Sequence, residues 1–130
     1  MARATNYRDK PHARIYAAWR DLPVWEMMDA QSKALLVEML TIYRPQNPII
    51  EMSDRKAANL IPCSRSKAAD ALRMLEALGW IRVERVGAAC QRGHKRRSSA
   101  YRLTCLMFHD LPATEDYLRY VREGSKRQLL

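Results

Sequence analysis

The sequence predicts an α+β domain in which three core helices are followed by a small antiparallel β-hairpin. Three stretches place apolar residues at helical spacing behind an Asp or Ser residue that can cap a helix. Two later stretches, 80–86 and 100–106, have the composition of strands, and the first alternates apolar with charged residues. A chain of 130 residues with 48% hydrophobic content can fill one core, so a single domain is expected over 12–108.

The N-terminal region predicts an arm, a short helix and a long helix. Residues 1–11 are polar and basic, which is typical of a flexible arm. A short helix is expected over 12–20, and Pro23 is expected to interrupt the chain after it. Asp29 is placed to cap a long helix over 30–43. The apolar residues expected to face the core from these helices are Ile15, Ala18, Trp19, Leu35, Leu36, Met39, Leu40 and Tyr43.

The next segment predicts a strand and a short helix. Residues 48–52 are mostly apolar and form the strand candidate, and Ser53 is a suitable cap for a helix over 54–60. Small residues at 57–58 allow a second helix to approach closely, and the Ile-Pro-Cys sequence at 61–63 supplies a turn. This pattern indicates the first half of a helix-turn-helix.

The following segment predicts the second helix and the hairpin. Ser64 can cap a helix over 65–78, and Gly79 occupies the position where a left-handed residue ends a helix. The strands 80–86 and 100–106 follow, joined by a polar loop. The residues expected to face the core from the second helix are Ala68, Leu72 and Leu75.

Apolar residues near both termini leave two interpretations open, core packing and subunit contact. The extension over 109–130 is expected to contain a short helix that Thr114 caps and that ends near Gly124. Core packing is the default expectation for each apolar side chain, yet a homodimer is favoured as the assembly. The residues in question are Trp19, Trp25, Met27, Met28, Leu111, Tyr117, Leu118 and Val121.

Charge and cysteine content indicate a class of partner and a compartment. The 23 Lys and Arg residues exceed the 14 Asp and Glu residues, which gives a net charge of +9 and suits a polyanionic partner. Three cysteines without a Cys-x-x-Cys pair indicate reduced thiols in a cytoplasm. The sequence contains no apolar run long enough for a membrane span, and no membrane partner is expected.

Polar residues at the start of the second helix are the candidates for reading DNA. The N-terminal end of a recognition helix usually meets base edges and phosphates. Asp70 is less expected on such a surface, where it would accept a hydrogen bond from a cytosine amino group or pair with Arg73 or Lys67. The alternative is an ordinary amphipathic helix whose charged face is solvated and has no partner. The candidate residues are Arg65, Ser66, Lys67, Asp70 and Arg73.

The hairpin loop supplies a second set of basic candidates. No acidic residue lies between Gly87 and Ser99, so the positive charges of the loop would repel one another unless they were solvated or bound to an anion. Placed beside a recognition helix, such a loop contacts the DNA backbone or minor groove. A basic loop without a partner is the alternative. The loop candidates are Arg92, Lys95, Arg96 and Arg97, and the flanking candidates for phosphate contacts are Arg82, Arg85 and Arg102.

Several motifs carry a resemblance to a known family. They are Ser53-x-x-x-Ala57-Ala58, Ser64-x-Ser66-Lys67, Ala71-Leu72-x-x-Leu75-Glu76-x-Leu78-Gly79-Trp80-Ile81, Tyr101-Arg102-Leu103-Thr104 and Leu22-Pro23-Val24-Trp25. Over about 12–108 the chain resembles winged helix-turn-helix proteins of proteobacterial phages, plasmids and conjugative elements, which include replication-initiator N-terminal domains and conjugative-transfer repressors. The turn at 44–48 departs from the Asn- and Gly-rich turn of many relatives.

The resemblance implies sequence-selective binding to double-stranded DNA, often by a dimer. It assigns base contacts to Arg65, Ser66, Lys67 and Asp70, and phosphate contacts to Arg73 and the hairpin loop. We expect a transcriptional regulator, a repressor of a mobile element that occupies an operator. A replication-initiation or partition factor that binds an origin is the alternative, and a protein-interaction winged helix is a third possibility.

No catalytic, metal or cofactor site is expected. Cys90-x-x-x-His94 and Cys105-x-x-x-His109 have a spacing that suits zinc, but one pair falls in a loop and the other starts in an apolar strand. The sequence contains no Gly-rich phosphate loop, nucleophile elbow or His-x-x-x-His pattern. The expectation is therefore a protein that is not an enzyme and has no evident small-molecule ligand.

Overall fold

The computed structural model describes residues 10–85 and 98–119. Within them the chain forms an α+β structure of four α-helices and one three-stranded antiparallel sheet. The helices are α1 (Pro23–Met27), α2 (Ala30–Ile42), α3 (Asp54–Leu60) and α4 (Arg65–Ala77). The strands are β1 (Ile50–Met52), β2 (Ile81–Arg85) and β3 (Ser99–Leu103), and two 3-10 turns cover Ala17–Asp21 and Asp116–Leu118.

The three longest helices begin at the caps that the sequence predicts. In each case a side-chain oxygen accepts the backbone N–H of the residue three positions later, which satisfies one of the unpaired donors of the first turn. The three caps and their donors are Asp29 with Ser32 at 2.8 Å, Ser53 with Lys56 at 3.0 Å, and Ser64 with Lys67 at 3.1 Å. The predicted starts of α2, α3 and α4 are therefore confirmed.

The sheet has the strand order β1-β3-β2, and both pairs are antiparallel. The predicted β2–β3 hairpin is confirmed, and β1 adds a third strand on the other side of β3. Met52 pairs with Ser99 at the end of the sheet from which the hairpin loop leaves, and Ile81 pairs with Leu103 at the opposite end. This topology is compatible with a winged helix.

The end of α4 is built around Gly79. Its φ of +86° lies in the left-handed region, and its N–H donates to the Glu76 carbonyl while the Trp80 N–H donates to the Leu75 carbonyl. These two hydrogen bonds form a Schellman motif, which satisfies carbonyls at the helix end. The Thr104 hydroxyl donates to the Gly79 carbonyl at 2.6 Å and so ties the end of β3 to the same turn.

The helix expected over 12–20 is present only as a 3-10 turn, whereas the break expected after it is confirmed. No regular helix covers 12–16, and the 3-10 turn that follows buries Trp19 but leaves Ile15 48% exposed. Leu22 is extended between the 3-10 turn and α1, which is the predicted break. Pro23 also starts α1, because a proline at the first helical position has no N–H to satisfy and its φ already suits a helix.

The described part of the C-terminal extension packs on the core. Thr114 does not cap a helix; Glu115, with a φ of +53°, precedes the 3-10 turn instead, so the expectation for Thr114 is wrong. Tyr117 is buried and its ring stacks on Trp80, with centroids 4.3 Å apart. The predicted helical end near Gly124 lies outside the described residues.

Most apolar residues near the termini pack within one chain. Trp19 is buried and its ring lies edge-on to Trp80, with centroids 5.1 Å apart. Met28 is also buried, whereas Met27 and Leu111 are more than half exposed. Trp25 and Leu118 are half-buried, and Val121 lies outside the described residues. In the part of the chain that the structure describes, no helix combines the length and apolar character needed to cross a membrane.

Candidate nucleic-acid interface

Helices α3 and α4 form a closely packed pair. Each contributes small side chains to the contact, and the two helices are joined by a short turn at 61–64. The Cys63 N–H donates to the Ala58 carbonyl at 3.2 Å, which fixes the angle at which the chain enters α4. Because alanine side chains are small, the backbones of the two helices can pack close to each other. The buried alanines of the pair are Ala57, Ala58, Ala68 and Ala71.

The first turn of α4 presents polar side chains to solvent. Arg65, Ser66 and Lys67 are exposed, while Leu72 and Leu75 on the opposite side of the helix are buried. The Ser64 cap uses one N–H of this turn, and the partial positive charge of a helix N-terminus adds to the two basic side chains. The end of α4 nearest the turn is therefore an exposed, positively charged surface.

Asp70 and Arg73 lie further along the exposed face of α4. The positions of Ser66, Asp70 and Arg73 follow one row along a helix, at spacings of four and three residues. The Arg73 guanidinium donates a hydrogen bond to the Asp70 carboxylate, so the two charges neutralise each other locally. Both side chains are at least 65% exposed, and an exposed pair of this kind contributes little to stability. The pair remains available to a partner.

Two exposed basic residues at the start of α3 were missed by the sequence analysis. Arg55 and Lys56 follow the Ser53 cap and lie in the first turn of α3. The Lys56 ammonium donates to the Glu51 carbonyl at 3.1 Å. The two basic residues follow the Ser53 cap after Asp54, and this pattern in the sequence could have identified them. They add two exposed cations at the start of α3, beside the exposed Asp54.

A chain of contacts joins the start of α3 to the base of the hairpin loop. The carboxylate of Glu51, whose carbonyl accepts from Lys56, also accepts a hydrogen bond from Arg85 at 2.7 Å. Arg85 donates in turn to the Ser98 carbonyl at 3.1 Å. Arg85 and Ser98 are the described residues on either side of the loop, so the loop leaves the sheet beside the N-terminus of α3.

Helix α3 lies between the base of the loop and α4. A helix of seven residues is roughly 10 Å long, and α3 leads from the loop base to the turn before α4. The first turn of α4 and the base of the loop therefore lie at opposite ends of α3. The four basic loop residues, Arg92, Lys95, Arg96 and Arg97, lie outside the described residues.

The three flanking arginines have different surroundings. Arg85 is half-buried and paired with Glu51 at the loop base. Arg82 is exposed, but its guanidinium lies 3.5 Å from the Asp116 carboxylate, at the end of the sheet opposite the loop. Only Arg85 is therefore near the surface formed by α3, α4 and the loop base.

The expectation that Arg102 extends the basic patch is corrected by its burial. Its side chain is 7% exposed, lies over the Phe108 ring with a separation of 4.6 Å, and approaches Glu84 at 4.0 Å. The segment after β3 folds back over this face of the sheet, and the guanidinium cannot reach a phosphate from there. Its Nε and Nη2 have no hydrogen-bond partner among the described residues.

Comparisons with known proteins add no assignment: no protein-family model, curated protein or solved structure matches this chain. The described residues also contain no group of three or more His, Cys, Asp or Glu side chains placed to hold a metal ion. Cys90 and His94, half of the zinc spacing noted above, lie outside them.

Proposed function

We propose that this protein is a winged helix-turn-helix protein that binds double-stranded DNA through α4 and the β2–β3 loop. The observation that carries the proposal is the placement of the exposed first turn of α4 and the loop base on the two ends of α3. In this proposal one duplex contacts both, with the first turn of α4 in the major groove and the loop beside it. The loop with its four basic residues would then follow the phosphates beside that groove.

The polar row on α4 supports sequence-selective binding. Ser66, Asp70 and the guanidinium of Arg73 offer both donors and acceptors, which is what discrimination between base pairs in the major groove requires. Arg65 and Lys67 flank the row and suit phosphates. In this proposal the Asp70–Arg73 pair opens on the target site, where Asp70 accepts a hydrogen bond from a cytosine amino group and Arg73 donates to a phosphate.

The biological role belongs to the same proposal. The motifs resemble those of winged-helix proteins from phages, plasmids and conjugative elements, and this supports a regulator that represses a promoter of a mobile element by occupying an operator. Two copies on an inverted repeat would match the two-fold symmetry common among such complexes. Selection of bound duplexes from a random library tests the role: one inverted repeat supports the regulator, whereas tandem repeats would indicate an origin-binding factor.

Fluorescence anisotropy with a random-sequence duplex over a salt series tests DNA binding itself. The proposal predicts an affinity that falls steeply with salt, and a slope of log affinity against log salt that flattens by about 1.8 in Arg96→Ala/Arg97→Ala, which removes two phosphate contacts. Arg20→Ala/Arg119→Ala is the matched control, because it removes two exposed charges that belong to neither α3, α4 nor the hairpin loop. If the unmodified protein does not bind DNA at low salt, the proposal is wrong, and acidic protein partners are then the candidates to test.

A further inference from the structure

A cavity of about 500 Å³ lies at the end of the sheet opposite the hairpin loop. Its walls come from the segment 10–16, from the end of α2 with the turn that follows, and from Leu106 after β3. Leu103 at the end of β3 pairs with Ile81, whereas the loop leaves beside Ser99, so the cavity is separated from the proposed DNA surface by the length of β3. The volume lies within the range of small-molecule sites.

The lining of this cavity combines cations with apolar and aromatic surface. Lys10, Arg14 and Arg44 supply three positive charges, and no acidic residue occurs among the described residues that line it. Leu40 is buried and contributes apolar surface, while Tyr16 and Tyr43 contribute ring surface. Such a mixture is typical of ligand sites, in which a few charged groups orient an apolar body.

Two of the cations have no competing partner in the described part of the chain. Lys10 and Arg14 are exposed and have no ion pair with any residue in 10–85 or 98–119. Arg44 is held in place, because its Nη1 donates to the Thr41 and Tyr43 carbonyls at 2.7 Å each. One fixed guanidinium, with two cations that have no ion pair to a described residue, complements a negative charge on an apolar molecule.

The wall of the cavity is also pinned by a hydrogen bond. The Tyr43 hydroxyl donates to the Met107 carbonyl at 2.6 Å, which joins the end of α2 to the segment after β3. Burial raises the pKa of Tyr43, so its phenol stays neutral and remains a donor at neutral pH. The cavity therefore has a preformed wall between two elements of the core.

We propose that this cavity binds a small organic anion whose apolar ring body lies against Leu40, Tyr16 and Tyr43, and whose carboxylate, sulfonate or phosphate group meets Lys10, Arg14 and Arg44. The inference does not depend on DNA binding, because none of these residues belongs to α3, α4 or the hairpin loop. It also goes against the sequence-based expectation, in which no small-molecule ligand was evident.

Titration with 1-anilinonaphthalene-8-sulfonate tests the site, because this probe is a sulfonate on a fused-ring body whose fluorescence rises on binding. The full-length protein is expected to bind one equivalent. The neutral analogue N-phenyl-1-naphthylamine is expected to bind on the order of tenfold more weakly, since it lacks the charge that the cations meet. Equal affinity for the neutral analogue, or binding of several equivalents, would overturn the proposal in favour of general adsorption to apolar surface.

Three variants locate the bound probe. Lys10→Gln/Arg14→Gln is expected to weaken sulfonate binding on the order of tenfold, and Arg20→Gln/Arg119→Gln, which removes the same charge elsewhere, is expected to leave it unchanged. Ala13→Trp places an indole in the cavity and is expected to abolish binding of the probe. Retention of binding in Ala13→Trp with native far-ultraviolet circular dichroism, or equal loss in both double variants, would contradict the assignment.

Discussion

Replacement of Gly79 by alanine tests how the C-terminal segment is joined to the core. An alanine Cβ would lie 2.7 Å from the Asp116 carbonyl carbon and 2.8 Å from the Tyr117 nitrogen. Both are backbone atoms, so no side-chain rotation relieves the contact. The 3-10 turn at Asp116–Leu118 must move away, and the stacked pair of Tyr117 and Trp80 moves apart with it.

The magnitude follows from two contributions. A φ of +86° costs an alanine roughly 1–2 kcal/mol relative to glycine, and loss of the ring stack adds roughly 0.5–1.5 kcal/mol. We therefore expect the free energy of unfolding of Gly79→Ala to fall by about 1.5–3.5 kcal/mol. At a slope of roughly 2 kcal/mol per molar urea, which is typical of small domains, this lowers the urea midpoint by about 1–2 M.

Urea denaturation followed by circular dichroism and tryptophan fluorescence measures this loss. Gly79→Asn is the matched variant, because asparagine adopts the left-handed conformation more readily but carries the same Cβ. It is expected to be more stable than Gly79→Ala and less stable than the unmodified protein. A loss below about 0.5 kcal/mol in Gly79→Ala, the ordinary scatter of surface substitutions, would refute the close approach of the C-terminal turn.

Three other predictions concern single side chains. Thr104→Val removes the donor to the Gly79 carbonyl and leaves that buried oxygen less satisfied, so we expect a loss of about 1–3 kcal/mol in chemical denaturation; an unchanged midpoint would show that the hydrogen bond contributes nothing. Asp70→Asn frees Arg73 from its ion pair, and the salt dependence of log affinity for random duplex should steepen by about 0.9, as for one added phosphate contact; a flatter slope would contradict the placement of this pair on the DNA surface. Burial raises the pKa of the Cys105 thiol to about 12, so the thiol is protonated at pH 8 and should resist iodoacetamide until the protein unfolds. Mass spectrometry of native and urea-treated samples measures the alkylation. Rapid alkylation of Cys105 in the native protein would contradict the burial.

Local signals in the sequence were enough to predict most elements. The three caps combine a short polar side chain with apolar residues at helical spacing, and both features act within four residues. The same holds for Gly79, whose role depends on the backbone conformation at one position. The break before Pro23 was predicted, but the helix that Pro23 starts was not, because proline both interrupts helices and starts them.

The misplaced site residues depend on contacts between distant parts of the chain. The sequence correctly predicts that Arg102 lies in a strand. It does not show that the segment after β3 folds back and places Phe108 against the Arg102 guanidinium. Arg82 forms an ion pair with Asp116, which is also distant from it in the sequence. The cavity near Tyr43 likewise needs three segments that are far apart in sequence. Periodicity reports the face on which a residue lies, but it does not report what covers that face.

The most direct test of the proposed DNA surface is an amide chemical-shift titration of the full-length protein with a short random duplex at low salt. The account predicts perturbations grouped at 55–56, at 65–73 and at 86–98, with α2 and the cavity segment 10–16 largely unaffected. Perturbations grouped at 10–16 and 43–45 instead, or spread evenly over all exposed basic residues, would contradict the claim that α4 and the hairpin loop form one DNA-binding surface.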